Sequence, residues 1–100
     1  MFIGVARIEL FIPASESLKD KRRVVKSISA TVRNKLNVSI AEVDHQELWQ
    51  RAALGISCVS ESMAHCRKVM QETEKLIGKA AIDGAEIVDR SIEVFAMEDL

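Results

Sequence analysis

Apolar residues change their spacing along the chain, and the order of these changes constrains the fold more than any other feature of the sequence. Residues 2–12 alternate between two sets of side chains, the period of two expected of a strand with one drier face. Pro13 ends this strand. Apolar residues then recur at helical spacing over residues 18–36, after a start at Ser17 and Asp20 that resembles a capping box. The first third therefore predicts a strand followed by an amphipathic helix.

The remainder predicts three more strands and one more helix. Residues 38–43 and 51–59 have strand character and are joined by a polar stretch that suits a hairpin. A last strand is predicted over residues 87–97, where apolar and polar residues alternate again.

The second helix lies between the third and fourth strands, with a cap at Ser60 or Ser62 and an end at Gly78. Two amphipathic helices each need a sheet face to cover their apolar stripe, and right-handed crossovers place both on the same side. The sequence therefore predicts an α+β protein of one domain, residues 1–100. Its expected architecture is a ferredoxin-like β-α-β-β-α-β sandwich, a four-stranded antiparallel sheet with two helices on one face.

This arrangement leaves the other sheet face open. The open face is predicted to carry Ile3, Val5 and Phe11 from the first strand and Phe95 from the fourth. Exposed apolar surface on a small protein is a candidate contact surface, so these four residues are the candidates for self-association into a homodimer.

Composition and cysteine usage indicate a cytoplasmic protein. With 48% hydrophobic and 29% charged residues, the chain can form a core without disulfides or metals. Cys58 and Cys66 have no C-x-x-C spacing, and residues 1–12 contain Arg7 and Glu9, unlike a secretory signal. No apolar run approaches the length of a membrane-spanning helix. We therefore expect reduced thiols and no membrane partner.

Positive charge is concentrated in the first predicted helix. Residues 1–36 hold eight Lys/Arg and three acids, whereas residues 37–100 hold six Lys/Arg and twelve acids, which together give the net charge of −1. At 100° per residue, most of the helix cations form one stripe beside the apolar face. The predicted nucleic-acid or acidic-partner site consists of Lys19, Lys21, Arg22, Arg23, Lys26 and Arg33.

The alternative for this stripe is a solvated helix flank whose cations pair with acids elsewhere in the chain. A functional role gains support because several cations lie in the first turns, where the helix dipole disfavours positive charge, and because Arg22 and Lys26 repel each other four residues apart.

Other polar residues do not form a recognisable catalytic, metal or cofactor site. His45, between Asp44 and Glu47, is predicted to lie in a plain polar turn. Cys58 is expected to be a buried strand residue. Cys66 is expected in the core and His65 at the surface, since adjacent helical residues point about 100° apart. The chain has no glycine-rich phosphate loop and no serine–histidine–aspartate motif.

Glu42 interrupts an apolar strand. A pairing partner or a position on the open face is favoured over a catalytic acid. An enzyme with a site assembled across a dimer stays open as an alternative.

The RNA-recognition motif has the same order of elements, but its glycine–aromatic string is absent from this chain. Binding to RNA would therefore depend on the basic helix and would involve backbone or shape contacts. Recognition of a DNA sequence is not expected.

Three segments, residues 17–23, 37–43 and 49–52, closely resemble the YlxP-like proteins, a family of small bacterial proteins of unknown function. Nearly the whole chain takes part in the resemblance, although Leu36 stands where an aromatic residue is common. The resemblance implies a ferredoxin-like domain. Because members are often encoded beside translation-initiation and ribosome-assembly genes, including that of ribosome-binding factor A, it also implies a role linked to RNA or the ribosome. The matching basic positions are Lys19, Lys21, Arg22 and Arg23.

Together these patterns predict a non-enzymatic accessory protein that docks through its first helix onto ribosomal RNA or a ribosomal subunit. The alternative is a self-associating scaffold, or a regulatory module for a small ligand, that uses the open sheet face.

Overall fold

The computed structural model describes the backbone of residues 1–99 and the side chains of residues 1–98. Over this range the elements follow the predicted order, and the ferredoxin-like fold is confirmed. The elements are β1 (Phe2–Phe11), α1 (Leu18–Lys35), β2 (Ser39–Asp44), β3 (Arg51–Ser60), α2 (Met63–Ala81) and β4 (Glu86–Ala96), followed by a single 3-10 turn (Met97–Asp99).

The four strands form one antiparallel sheet in the order β2-β3-β1-β4. Alternate residues of the two central strands, such as Ile8, Leu10 and Leu54, are fully buried beneath the helices. Helix α1 packs over β2 and β3, and α2 packs over β3, β1 and β4. The basic helix therefore covers the half of the sheet that ends at the β2 edge.

Helix α1 begins as the sequence predicts. The Ser17 hydroxyl accepts the backbone N–H of Asp20 at 3.0 Å, and the Asp20 carboxylate accepts the N–H of Glu16 at 3.0 Å. The first bond gives a partner to one of the backbone N–H groups of the first turn, which have none within the helix. The second bond ties the residue before the cap to this turn. The buried face of the helix includes Val25 and Val32.

Helix α2 begins at the cap Ser62, whose hydroxyl accepts the N–H of His65 at 3.2 Å. The expected end at Gly78 is wrong, because the helix continues to Ala81. Ile77 and Ala81 are both buried in the core, and Gly78 has no positive φ that would break the helix. Burial of the last turn outweighs the modest helix cost of glycine.

The open face is less uniformly apolar than predicted. Ile3 pairs with Val59 on one side and Phe95 on the other, so one end of this face is apolar. Phe11 lies eight residues further along β1, roughly 27 Å at the rise of a strand. The four predicted self-association residues therefore form a patch of three and a separate fourth. Within the described helices, no segment is both long enough and apolar enough to cross a bilayer.

Candidate functional site

The basic stripe that the sequence predicts on the first helix lies largely on the exposed side of α1. Six of its seven Lys and Arg side chains are exposed: Lys19, Arg22, Arg23, Lys26, Arg33 and Lys35. Among the described side chains, no carboxylate lies within 4.0 Å of any of the six. Ion pairs with acids in the described part of the chain therefore do not explain why these cations are concentrated on α1.

This exposed face lies beside the outer strand β2. The Arg33 guanidinium donates a hydrogen bond to the backbone carbonyl of Ile40, at 2.8 Å. Arg22 and Lys26 project from the same flank at 100° per residue. Lys19 and Arg23 lie within the same arc of about 100° beside the β2 edge, whereas Lys35 lies on the opposite flank of α1.

Lys21 does not belong to this exposed set, and its assignment to the binding stripe is wrong. The side chain has 0% exposure, and its Nζ donates to the carbonyls of His45 at 2.7 Å and Gln46 at 3.2 Å. It lies one turn before Val25 and so points toward the sheet. Of the predicted binding residues, those that remain exposed on α1 are Lys19, Arg22, Arg23, Lys26 and Arg33.

Glu42 is the charged partner of this buried lysine, which confirms the predicted role of a pairing partner. Its Oε2 lies 2.9 Å from Lys21 Nζ. This contact is an ion pair, and the buried Oε2 has no hydrogen-bond partner among the described residues. The pair joins α1 to β2.

The turn between β2 and β3 is held in place by His45, which has a left-handed backbone conformation with φ of 63°. Its Nε2 lies 2.9 Å from Oε1 of Glu9, and its carbonyl accepts the N–H of Leu48 at 3.0 Å in addition to the Lys21 ammonium. The predicted polar turn is confirmed, and its histidine is held by contacts with Glu9, Leu48 and Lys21.

Glu9 is the centre of a charged cluster that the sequence reading missed. Its carboxylate accepts hydrogen bonds from Arg7 at 2.8 Å and Arg51 at 3.0 Å, and it contacts the His45 ring. These bonds, the one to His45 first, lower the pKa of Glu9 to about 2. Arg7 also reaches Asp44, whose pKa is lowered chiefly by the backbone N–H of His45. The alternation of Arg7 and Glu9 with buried residues in β1 was the available signal.

The Glu9 carboxyl of this cluster is not suited to act as a general acid. A carboxyl group whose pKa is about 2 stays ionised near neutral pH, where a general acid has to carry a proton. Beneath it, Ala53 is fully buried although it lies on the face opposite the helices. The charged side chains therefore cover this part of the central strands and shield Ala53 from solvent.

Two large apolar side chains are exposed at the end of the β2–β3 hairpin. Leu48 is 47% exposed and Trp49 is 55% exposed, beside a shallow depression of about 410 Å³ that residues 47–51 line. The Gln50 amide donates to the carbonyl of Pro13 at 2.9 Å, so the hairpin end lies against the connection that leads into α1. From the sequence, Trp49 is expected at the mouth of the predicted hairpin, and it belongs to one of the segments that carry the family resemblance.

The thiols and the second histidine have the predicted environments. Cys58 and Cys66 are both free and buried, and burial raises the pKa of the Cys58 thiol. His65 is exposed on α2. Among the side chains that the structure describes, no three His, Cys, Asp or Glu groups are arranged to hold a metal ion.

Solved structures share this fold at low sequence identity. A candidate chlorite dismutase, TA0507, aligns with a TM-score of 0.59 and 13% identity over 99% of this chain, which spans only 46% of that protein. A dimeric ferredoxin-like protein from an uncultured marine organism aligns with a TM-score of 0.50 and 8% identity, over 97% of this chain and 98% of its own. These similarities support the fold alone.

The resemblance to the YlxP-like proteins is confirmed by sequence comparison. The chain is 41% identical over 90 residues to the uncharacterized protein YlxP of Bacillus subtilis (strain 168), a match that covers 90% of this chain and 92% of the relative. Residues 3–92 match the family described as "Protein of unknown function (DUF503)". This chain therefore belongs to the DUF503 family.

Proposed function

We propose that this protein is a non-enzymatic accessory factor that docks onto ribosomal RNA, free or within a ribosomal subunit, through the exposed cations of α1. The observation that carries the proposal is the set of six exposed cations on α1, none of which has a carboxylate within 4.0 Å among the described side chains. Cations without carboxylate partners are available to phosphates, and each contact releases counterions from the nucleic acid.

The position of the cations adds support. Lys19, Arg22 and Arg23 lie in the first two turns of α1, where the positive end of the helix dipole repels them. Each such placement costs a few tenths of a kcal/mol to about 1 kcal/mol. A surface that retains these costs without compensating ion pairs is serving an external partner better than it serves stability.

The test is a matched pair of charge reversals. One variant carries Lys19→Glu, Arg22→Glu and Lys26→Glu on α1, and the control carries Lys68→Glu, Lys75→Glu and Lys79→Glu on α2. Both sets are exposed, and both change the net charge equally. Binding to ribosomal RNA and to purified subunits is measured over a range of salt concentrations.

We expect the wild-type affinity to fall steeply with salt. The α1 variant should bind weakly, and its salt slope should be smaller by about two to three units, roughly one for each lost phosphate contact. The α2 variant should bind like the wild type, apart from a general effect of net charge. If the α1 variant folds and still binds and co-sediments with subunits as the control does, the proposal is wrong.

A second candidate function is self-association through the apolar end of the open face. Val59 is 67% exposed there and lies beside Ile3, which is flanked by Phe95. The structurally similar marine protein is itself dimeric. Phe95→Glu should convert a dimer into a monomer in equilibrium sedimentation, whereas Phe11→Glu, at the other end of β1, should not. A monomeric wild type at micromolar concentration would contradict this candidate.

A further inference from the structure

We propose that Trp49 supplies a base-stacking surface beside the cations of α1, so that the protein binds a single-stranded segment of RNA. This inference rests on the RNA-binding function proposed above and names the form of RNA that the surface accepts. The cations hold phosphates, and the indole contacts a base.

Trp49 is unusual in both exposure and position. It is the only tryptophan in the chain, and it is 55% exposed at a hairpin end where polar residues would suffice. Leu48 beside it is 47% exposed. An aromatic ring presented to solvent offers a face on which any base can stack, because every base has a π surface.

The hairpin end lies close to the basic helix. Lys21 Nζ donates to the carbonyl of Gln46 at 3.2 Å, and Trp49 is three residues further along. Three residues reach at most about 11 Å when fully extended. Arg22 follows Lys21 directly in α1, and its side chain is exposed. The indole and the first cations of the stripe are therefore at the same end of the molecule.

The hairpin is also held in one conformation before any ligand binds. The buried Lys21 ammonium contacts two of its carbonyls, His45 contacts Glu9, and Gln50 donates to Pro13. A stacking ring on a fixed support loses less conformational freedom on binding than one on a loose loop.

The charges near the Trp49 indole favour a base there and a phosphate at the α1 cations. Glu47 lies in the same depression as Trp49, and Arg51 is engaged with Glu9. A phosphate is therefore disfavoured directly over the indole, whereas the exposed cations of α1 have no such neighbour within hydrogen-bonding distance among the described residues. This arrangement suits a strand whose backbone follows α1 and whose base turns toward the hairpin.

Stacking on Trp49 requires an unpaired base. In a duplex the base faces are covered by their neighbours, and proteins contact mainly the phosphates and sugars. The cations alone would bind both forms, so a preference for single strands is the contribution of the ring.

The single tryptophan makes the test direct. The intrinsic fluorescence of the full chain is recorded during titration with an oligouridylate of about 12 nucleotides, and with the same strand annealed to its complement. In parallel, affinities of Trp49→Ala, Trp49→Phe and the control Ile82→Ala are measured by anisotropy of fluorescein-labelled RNA. Ile82 is an apolar residue directly after α2 that is 77% exposed and belongs to neither proposed surface.

We expect the single strand to quench the emission strongly and the duplex to leave it nearly unchanged. Trp49→Ala should lose about tenfold in affinity for the single strand and little for the duplex, Trp49→Phe should keep most of the affinity, and Ile82→Ala should match the wild type. Emission that does not change at saturating single strand overturns the inference, as does equal quenching by both forms.

The outcomes separate this inference from the function on which it rests. If the α1 charge reversal abolishes binding while the fluorescence and the Trp49→Ala affinity stay unchanged, the ring has no role and the proposed function stands. If no salt-dependent RNA binding occurs at all, both are wrong. Should Trp49→Ala unfold, the fluorescence of the wild type alone decides.

Discussion

Lys21 Nζ lies 2.9 Å from Glu42 Oε2, and the lysine side chain has no exposed surface, so an internal ion pair ties α1 to β2. The same ammonium donates to the carbonyls of His45 and Gln46. One buried charge thus links the basic helix, the outer strand and the hairpin that carries Trp49.

Removal of one member of this pair should destabilise the protein. Lys21→Met leaves Glu42 without its partner, and we expect the free energy of unfolding in urea to fall by about 2–4 kcal/mol. The double variant Lys21→Met, Glu42→Leu removes both charges and should recover most of this loss. A double variant no more stable than the single one would contradict the ion-pair account.

Acid should weaken the protein through Glu9. Its pKa is lowered from 4.5 to about 2 in the folded protein, so the unfolded chain binds the proton more readily. The stability from this group is fully present above pH 4.5 and disappears as the pH falls toward 2. Glu9→Gln should therefore be less stable than the wild type at neutral pH, and the difference should close between these two pH values.

The measurement for Glu9 is thermal unfolding followed by circular dichroism from neutral pH down to pH 2. Glu72→Gln is the control, because Glu72 is exposed on α2 and has no ion pair among the described side chains. A Glu9→Gln difference that persists at the lowest pH would contradict the assignment.

Close packing between β1 and α2 should make Gly4 intolerant of a side chain. A Cβ added there would lie 3.0 Å from Cys58 Sγ and 3.1 Å from Met70 Cγ, both inside the core. Gly4→Ala should cost about 1–3 kcal/mol in urea denaturation. Gly84→Ala is the matched control, since a Cβ there meets no atom within 4 Å and Gly84 has no positive φ. Equal effects of the two substitutions would contradict this packing.

The cap of α1 should matter by a smaller amount. Ser17→Ala removes the hydroxyl that accepts the Asp20 N–H, and we expect a loss of about 1 kcal/mol. Ser17→Asp keeps an acceptor at this position and should retain most of the stability. A neutral Ser17→Ala variant in thermal unfolding would mean that water replaces the cap without cost.

Local patterns were sufficient to predict the elements and their order. Strand β1 and helix α1 were recognised from spacing alone, because the period of apolar residues depends on backbone geometry within a few residues. Gly78 misled the prediction for the end of α2 because its neighbours Ile77 and Ala81 are buried by β4 and the rest of the core, which a local rule does not contain.

The exposed cations of α1 were also determined by the sequence itself, since side chains beside an apolar stripe point to solvent once that stripe is buried. Only the tertiary structure decided the fate of Lys21, because its partners Glu42, His45 and Gln46 lie more than twenty residues away. The same holds for Glu9, whose cluster is assembled by antiparallel pairing of β1 with β3 and of β3 with β2. Helical spacing is a property of neighbouring residues, whereas a buried charge depends on which distant strand lies opposite it.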